Sequence, residues 1–316
     1  LSCFEEAIRL DPEYSVAWNN KGSSLASLGR HEEALSCFEE AIRLDPEYSV
    51  AWYNKAIALG ELERHEEAIA CYEEAIKWEP EYSDAWYNKG SSLASLERYE
   101  EAIACYEEVI RLDPENSDAW YNKGIALDEL ERYEEAIACY DEAIRLDPED
   151  SAVWNGKGIA LASLERYEEA IACYDEAIRL DPENSAPRGN KGMALDELEK
   201  YAEAIACYEE VIKGEPENPK AWHNKGIALA LLRKYEEAIA CFDEAIKWEP
   251  EDSVVWDGKG LVLCELEKYA EAIACYEEAI RLYPEYSSSW RGKGIALCEL
   301  EKYAEAIVCC DEAIKW

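Results

Sequence analysis

The chain has 316 residues, of which 49% are apolar and 11% aromatic. Its 32 Lys and Arg face 71 Asp and Glu, a formal charge of −39. Such a field repels nucleic-acid phosphates and anionic lipid and disfavours both as partners, while the apolar content is too high for a disordered chain. No apolar run reaches the roughly 18 residues of a membrane span. Leu1-Ser2-Cys3-Phe4-Glu5-Glu6 has neither the basic start nor the apolar stretch of a signal peptide. A cytoplasmic protein is expected, with an extracellular filament as the alternative.

Along the chain, residues 1–14 place Leu1, Phe4, Ala7 and Ile8 on one helical face. From there a period takes over. Trp18, Trp52, Trp86, Trp120, Trp154, Trp222, Trp256 and Trp290 are 34 residues apart, save one double step of 68 with Arg188 at its midpoint. Pro12 to Pro284 and Ala34 to Ala306 keep the same beat. The expected organisation is one continuous array. It has a second helix of an incomplete repeat at 1–14 and eight full units at 15–48, 49–82, 83–116, 117–150, 151–184, 185–218, 219–252 and 253–286. A last unit follows at 287–316.

Unit 117–150 represents the rest. Trp120, Ile125, Leu127 and Leu130 form one apolar stripe, and Ala136, Ile137, Tyr140, Ala143 and Ile144 a second, so two helices are predicted. Gly124 and Ala136 are small enough for a close crossing. Asp147-Pro148 ends the second helix, because proline disfavours helix in the residue before it, and Ser- or Glu-rich residues start the next. Helices of about a dozen residues are marginal alone, so the units must stack.

Trp120, Gly124, Leu127, Ala136, Tyr140, Ala143 and Pro148 resemble the tetratricopeptide repeat pattern, and the resemblance covers the whole chain. It implies an all-α solenoid, a right-handed superhelix of about nine helix-turn-helix units plus a leading half-repeat. It also implies a non-enzymatic scaffold whose first helices line a concave groove for an extended peptide or protein. Groove contacts in the family come mostly from positions 2, 5, 6, 9, 12 and 13, counting Trp as position 4. Position 6 is Asn20, Asn54, Asn88, Asn122, Asn190 and Asn224, whose amides could pair with a peptide backbone or satisfy local polar groups. Position 5 adds Tyr53, Tyr87 and Tyr121, so units 2 to 4 form the expected groove. The carboxylate clamp of chaperone-binding members is matched only by Lys220 with Asn224. Acidic positions 12 and 13, among them Asp128, Glu129, Asp196 and Glu197, favour a basic or neutral partner.

Three departures stand out. Position 7 is Lys in every unit where the family usually has Leu; it reads either as a basic ladder for an acidic ligand or, as we expect, as a stem packed between helices whose ammonium offsets nearby carboxylates. Unit 185–218 has Pro187, Arg188 and Gly189 where others have their Trp, which reads as a hinge, a side pocket near Arg188, or drift in one copy. Ten of thirteen cysteines keep the period. Equivalent helices about 8–10 Å apart are too far for neighbouring thiols to cross-link. No Cys-x-x-Cys pair and only three His argue against zinc, and no phosphate loop, nucleophile elbow or His constellation points to an enzyme or a cofactor. Lastly, Leu1, Phe4 and Ile8 at one end and Ile307, Ile314 and Trp316 at the other lack polar caps, so head-to-tail filaments are the alternative to a scaffold.

Overall fold

A unit with two apolar stripes buries both by folding one helix on the other and offering the remaining surface to the next unit. The computed structural model describes residues 1–316 and contains nineteen helices and no strand. They fall in two units, Leu1–Leu164 and Glu165–Trp316. The first holds α1 (Ser2–Leu10), α2 (Ser15–Ala26), α3 (His31–Leu44), α4 (Ser49–Gly60), α5 (His65–Trp78), α6 (Ser83–Ser95), α7 (Tyr99–Leu112), α8 (Ser117–Glu129), α9 (Tyr133–Leu146) and α10 (Ser151–Ser163). The second holds α11 (Tyr167–Leu180), α12 (Ala186–Glu197), α13 (Tyr201–Gly214), α14 (Pro219–Leu231), α15 (Tyr235–Trp248), α16 (Ser253–Glu265), α17 (Tyr269–Leu282), α18 (Ser287–Glu299) and α19 (Tyr303–Lys315).

Within each unit, every helix packs on its chain neighbours. The backbones of first helices also approach that of the next first helix, as α2 with α4 and α14 with α16, whereas the backbones of successive second helices stay further apart. The first helices therefore line the inner side of each unit. At the crossing, the aromatic ring at position 24 lies against position 8. A Cβ on Gly124 would stand 2.6 Å from the Tyr140 ring, and one on Gly192 2.6 Å from Tyr208. Ala56 fills this place in the repeat of Tyr72, and both are buried.

Ser starts most first helices, as expected, although α12 begins after Ser185 and α14 begins at Pro219. Side-chain caps come from the residue before the helix. Asn116 accepts from the Ala119 amide at 2.9 Å, Asp150 from Ala152 at 2.8 Å, Asn218 from Ala221 at 3.0 Å and Asp252 from Val254 at 2.8 Å. Helix ends follow expectation as well: α9 stops at Leu146, with Asp147 extended before Pro148.

The turn inside each hairpin was not legible in the sequence. The Glu131 amide donates to the Asp128 carbonyl at 2.9 Å and Arg132 to Leu127 at 2.9 Å, a Schellman-type closure that needs a left-handed residue. Gly29 supplies it once, with φ 74°; elsewhere it is Glu63, Glu97, Glu131, Glu165, Glu199, Arg233, Glu267 and Glu301, with φ of 57–60°. A Cβ is strained there. Glu131→Gly is expected to stabilise the fold by about 1 kcal/mol, strain relief less the larger chain entropy of glycine. Urea unfolding of the pair checks it; a variant less stable than the parent would show that the turn tolerates Glu without strain.

None of the thirteen cysteines is in a disulfide, and only Cys3, Cys298 and Cys310 are exposed. Burial pushes the thiols of Cys71, Cys105, Cys139, Cys241 and Cys275 up to about 11. Since the thiolate is the nucleophile, a thiol reagent at pH 8 should modify three cysteines rapidly in the folded protein and the others only on unfolding. Rapid loss of more than five thiols under native conditions would contradict this packing.

Candidate functional site

In the first unit the inner face is tied together by its own side chains. Tyr53 packs on Tyr72, Tyr87 on Tyr106 and Tyr121 on Tyr140, with ring centroids 6.0, 5.9 and 6.0 Å apart. The Asn of the following repeat then donates to the tyrosine hydroxyl: Asn88 Nδ2 to Tyr53 at 3.0 Å and Asn122 Nδ2 to Tyr87 at 2.8 Å. The same nitrogens donate to the carbonyls of Asp84 and Asp118, one turn back. Asn54 Nδ2 donates to Asn19 Oδ1 at 2.9 Å. The amide donors of Asn54, Asn88 and Asn122 thus form rungs between repeats, the local satisfaction that the sequence left open. Burial raises the Tyr53 and Tyr87 hydroxyls above their ordinary range and keeps them neutral.

The inner face of the second unit differs because position 5 changes to Gly189, His223, Asp257 and Arg291. His223 turns edge-on to Phe242 at 5.8 Å, and Asp257 accepts from Ser289 at 2.7 Å and Ser288 at 3.1 Å. At position 9, one turn on, stand Met193, Ile227, Leu261 and Ile295, exposed by 47, 39, 53 and 54%. Ile57 and Ile125, one turn on from Tyr53 and Tyr121, are instead half-buried, while Ile159 in the last repeat of the first unit, one turn on from Asn155, is exposed by 43%. The second unit thereby presents an aliphatic row on its first helices, with exposed Glu197, Glu265 and Glu299 at position 13. Sequence reasoning named no residue of this row, although position 9 is among the positions that the resemblance implies make groove contacts.

A cavity of about 240 Å³ opens at the start of that row. Gly189, Met193, Tyr208, Val211, Lys220 and Asn224 line it, with Asn190 alongside. Lys220 and Asn224, the one clamp-like pair, thus meet at one cavity.

Two of the acids expected to face a ligand are turned inward. Asp128 Oδ2 accepts from the Tyr140 hydroxyl at 2.6 Å and Asp196 Oδ2 from Tyr208 at 2.7 Å, while both Oδ1 atoms are buried without a partner. Burial pushes the Asp128 carboxyl up to about 6 and raises Asp196 in the same direction. At the ends, Leu1, Ile307, Ile314 and Trp316 are exposed, and Phe4 and Ile8 are half-buried.

Family models described as tetratricopeptide repeat match residues 53–117, 90–150, 121–185, 190–252 and 258–315, and related models of that description match 13–77 and 173–206. The chain belongs to the tetratricopeptide repeat family. No curated protein matches it. Among solved structures it is similar to YrrB, titled a TPR protein with an unusual peptide-binding site, at 24% identity over 58% of this chain and 95% of that one, TM-score 0.54. MamA from Desulfovibrio magneticus RS-1 aligns at 25% identity over 53% and 95%, TM-score 0.51. A tetratricopeptide repeat protein from Parabacteroides merdae aligns at 18% over 79% and 98%, TM-score 0.59. The fold is the all-helical repeat solenoid, and members of this family are typically non-enzymatic scaffolds for protein partners. No helix is long and apolar enough to cross a membrane.

Within the tetratricopeptide frame, the Lys at position 7 staples repeats. Each ammonium meets a carboxylate 16 residues earlier, on the preceding second helix: Lys89 to Glu73 at 2.9 Å, Lys123 to Glu107 at 2.8 Å, Lys225 to Glu209 at 2.8 Å and Lys259 to Asp243 at 2.6 Å. The ammonium also stands 5.6–5.9 Å from the Trp ring at position 4 in these four repeats. This is the packed, charge-offsetting lysine that the sequence led us to expect.

Arg188 is explained by what Trp does elsewhere. Each tetratricopeptide Trp donates its indole N–H to the Pro carbonyl six residues back, as Trp154 to Pro148 at 3.0 Å and Trp222 to Pro216 at 2.9 Å. Arg188 Nη1 donates to the Pro182 carbonyl at 2.7 Å. The hydrogen bond survives while the indole surface is lost.

Proposed function

We propose that the chain is a scaffold that holds an extended, apolar and basic-to-neutral peptide segment on the first helices of its second unit. The observation that carries this reading is the exposed row Met193, Ile227, Leu261 and Ile295 beside Glu197, Glu265 and Glu299. Each of these side chains is about half exposed, so covering it with a ligand is worth about 1 kcal/mol, and the acidic flank selects against acidic segments. The first unit is the weaker candidate, since its Asn and Tyr donors already serve the rungs. Peptides selected from a displayed random library on the immobilised protein should be enriched in apolar residues with Lys or Arg. Leu261→Asp with Ile295→Asp should weaken the selected peptides at least tenfold, while Tyr87→Phe leaves them within twofold. Selected peptides indifferent to the double Asp variant would remove this reading.

A second reading, association between copies, draws on α19 and Trp316 after it, where Ile307, Val308, Ile314 and Trp316 are each exposed. Light scattering after size exclusion tests it: a mass above the monomer that Ile307→Asp with Ile314→Asp abolishes supports association, and a monomer at every concentration excludes it.

A further inference from the structure

We infer that the cavity beside Gly189 receives a tyrosine side chain of a bound peptide, supplied from outside where other repeats supply their own. The inference deepens, and rests on, the peptide-scaffold reading. Its warrant is internal to the chain. Tyr53, Tyr87 and Tyr121 at position 5 each place a ring on the aromatic at position 24 of the same repeat. In two of these repeats the Asn at position 6 of the next repeat donates to the tyrosine hydroxyl. In the repeat at 185–218 the position-24 ring, Tyr208, is present, and so is the donor, Asn224. The position-5 ring alone is missing: it is Gly189, and a Cβ there would meet nothing within 4 Å.

The missing ring leaves the cavity. Its volume of about 240 Å³ lies below the roughly 300–1,000 Å³ of drug-sized ligand sites and suits a single side chain. Tyr208 and Val211 make an apolar floor, and Met193, exposed and flexible, can move aside to wall an entering ring. Asn224, unlike Asn88 and Asn122, makes no side-chain hydrogen bond, so its amide is available to a phenol oxygen. Lys220 on the rim takes part in no ion pair and can donate to a peptide carbonyl next to the ring. A phenylalanine would fill the floor yet leave Asn224 unanswered; a tyrosine satisfies both.

Met193 is the only methionine of the chain, so methyl-labelled protein gives a single resonance from the cavity wall. The probes are acetyl-Gly-Gly-Tyr-Gly-Gly-amide and its Phe and Ala counterparts. The Tyr peptide is expected to shift this resonance saturably, with affinity at least threefold above Phe and tenfold above Ala. Asn224→Ala should make Tyr and Phe equal. Gly189→Tyr should fill the cavity from within and abolish the response, with a melting temperature equal to or above the parent's. No saturable shift with the Tyr peptide, or an equal affinity in Gly189→Tyr, would overturn the inference. Library-selected peptides keep the two readings apart. If they bind Gly189→Tyr as tightly as the parent, the groove stands and the tyrosine receptor falls; if no peptide is selected at all, both fall.

Discussion

Tyr140→Ala should lower the free energy of opening α8 and α9 by about 3–5 kcal/mol. The ring is fully buried. It fills the crossing against Gly124, approaches Gly156 in the next repeat, and carries Tyr121 on its face. Removing it leaves a cavity that the surrounding helices cannot close, because Gly124 has no side chain to move in. It also strips Asp128 of its hydroxyl donor at 2.6 Å. Tyr140→Phe isolates that second part. Phe38 and Phe242 occupy the same position elsewhere, so the ring alone packs well, and the loss should be about 1.5–3 kcal/mol, the scale of a hydrogen bond to a charged group. Hydrogen exchange resolves the effect by helix. In a repeat array each unit depends on its neighbours, so the loss should centre on α8 and α9 and fade toward α2 and α3. A uniform loss, or one below 1 kcal/mol, would mean that the crossing is not the local keystone of its repeat.

The second large effect concerns pH. The Asp128 carboxyl sits near 6 in the folded chain, above the ordinary 3.8, because burial disfavours its charge. A raised carboxyl stabilises the fold fully below its unfolded value, and that contribution is lost as pH rises through the folded value. The difference, 6 − 3.8 = 2.2, corresponds to about 3 kcal/mol at most, and solvent at this half-buried group reduces it to about 1–2 kcal/mol. Asp196 shifts in the same direction. Glu33, Glu67, Glu101 and Glu135 act in the opposite sense. Their arginine partners lower them, so their contribution is lost as pH falls. Stability should therefore peak near pH 5. Asp128→Asn with Asp196→Asn keeps an acceptor for each tyrosine and removes the buried charges. Melting temperatures at pH 5, 6, 7 and 8 should fall less steeply in this variant, with the double Asn protein the more stable at pH 8. Parallel curves for the two proteins would show that these carboxyls ionise as freely as exposed ones.

The fold was legible because each repeat states it locally. Trp, Gly, Ala and Pro at period 34, with two stripes at helical spacing, admit one arrangement, a stack of hairpins, since neither stripe can be buried alone. Lysine at position 7 was legible too, because a cation on a long stem among so many carboxylates has little choice of partner. The left-handed glutamates were not. Their conformation is imposed by closure of the helix end and leaves no glycine as a mark.

The site was less legible. Asn88 reads the same whether its amide meets a peptide or the Tyr53 hydroxyl 35 positions back, and spacing along the chain carries no information about that choice. Nor does Ile227 or Leu261 differ in type from a core residue; each is exposed in a repeat whose position 5 is not a tyrosine. Arg188 looked like a loss until the Pro182 carbonyl was seen to take the hydrogen bond that Trp gives elsewhere. The sequence by itself determined the repeat, its two helices and the residues of each crossing, because these follow from periodicity and side-chain size within one unit. Only the tertiary structure decided which polar groups are already satisfied and which apolar ones remain open, because both depend on distances between neighbouring repeats.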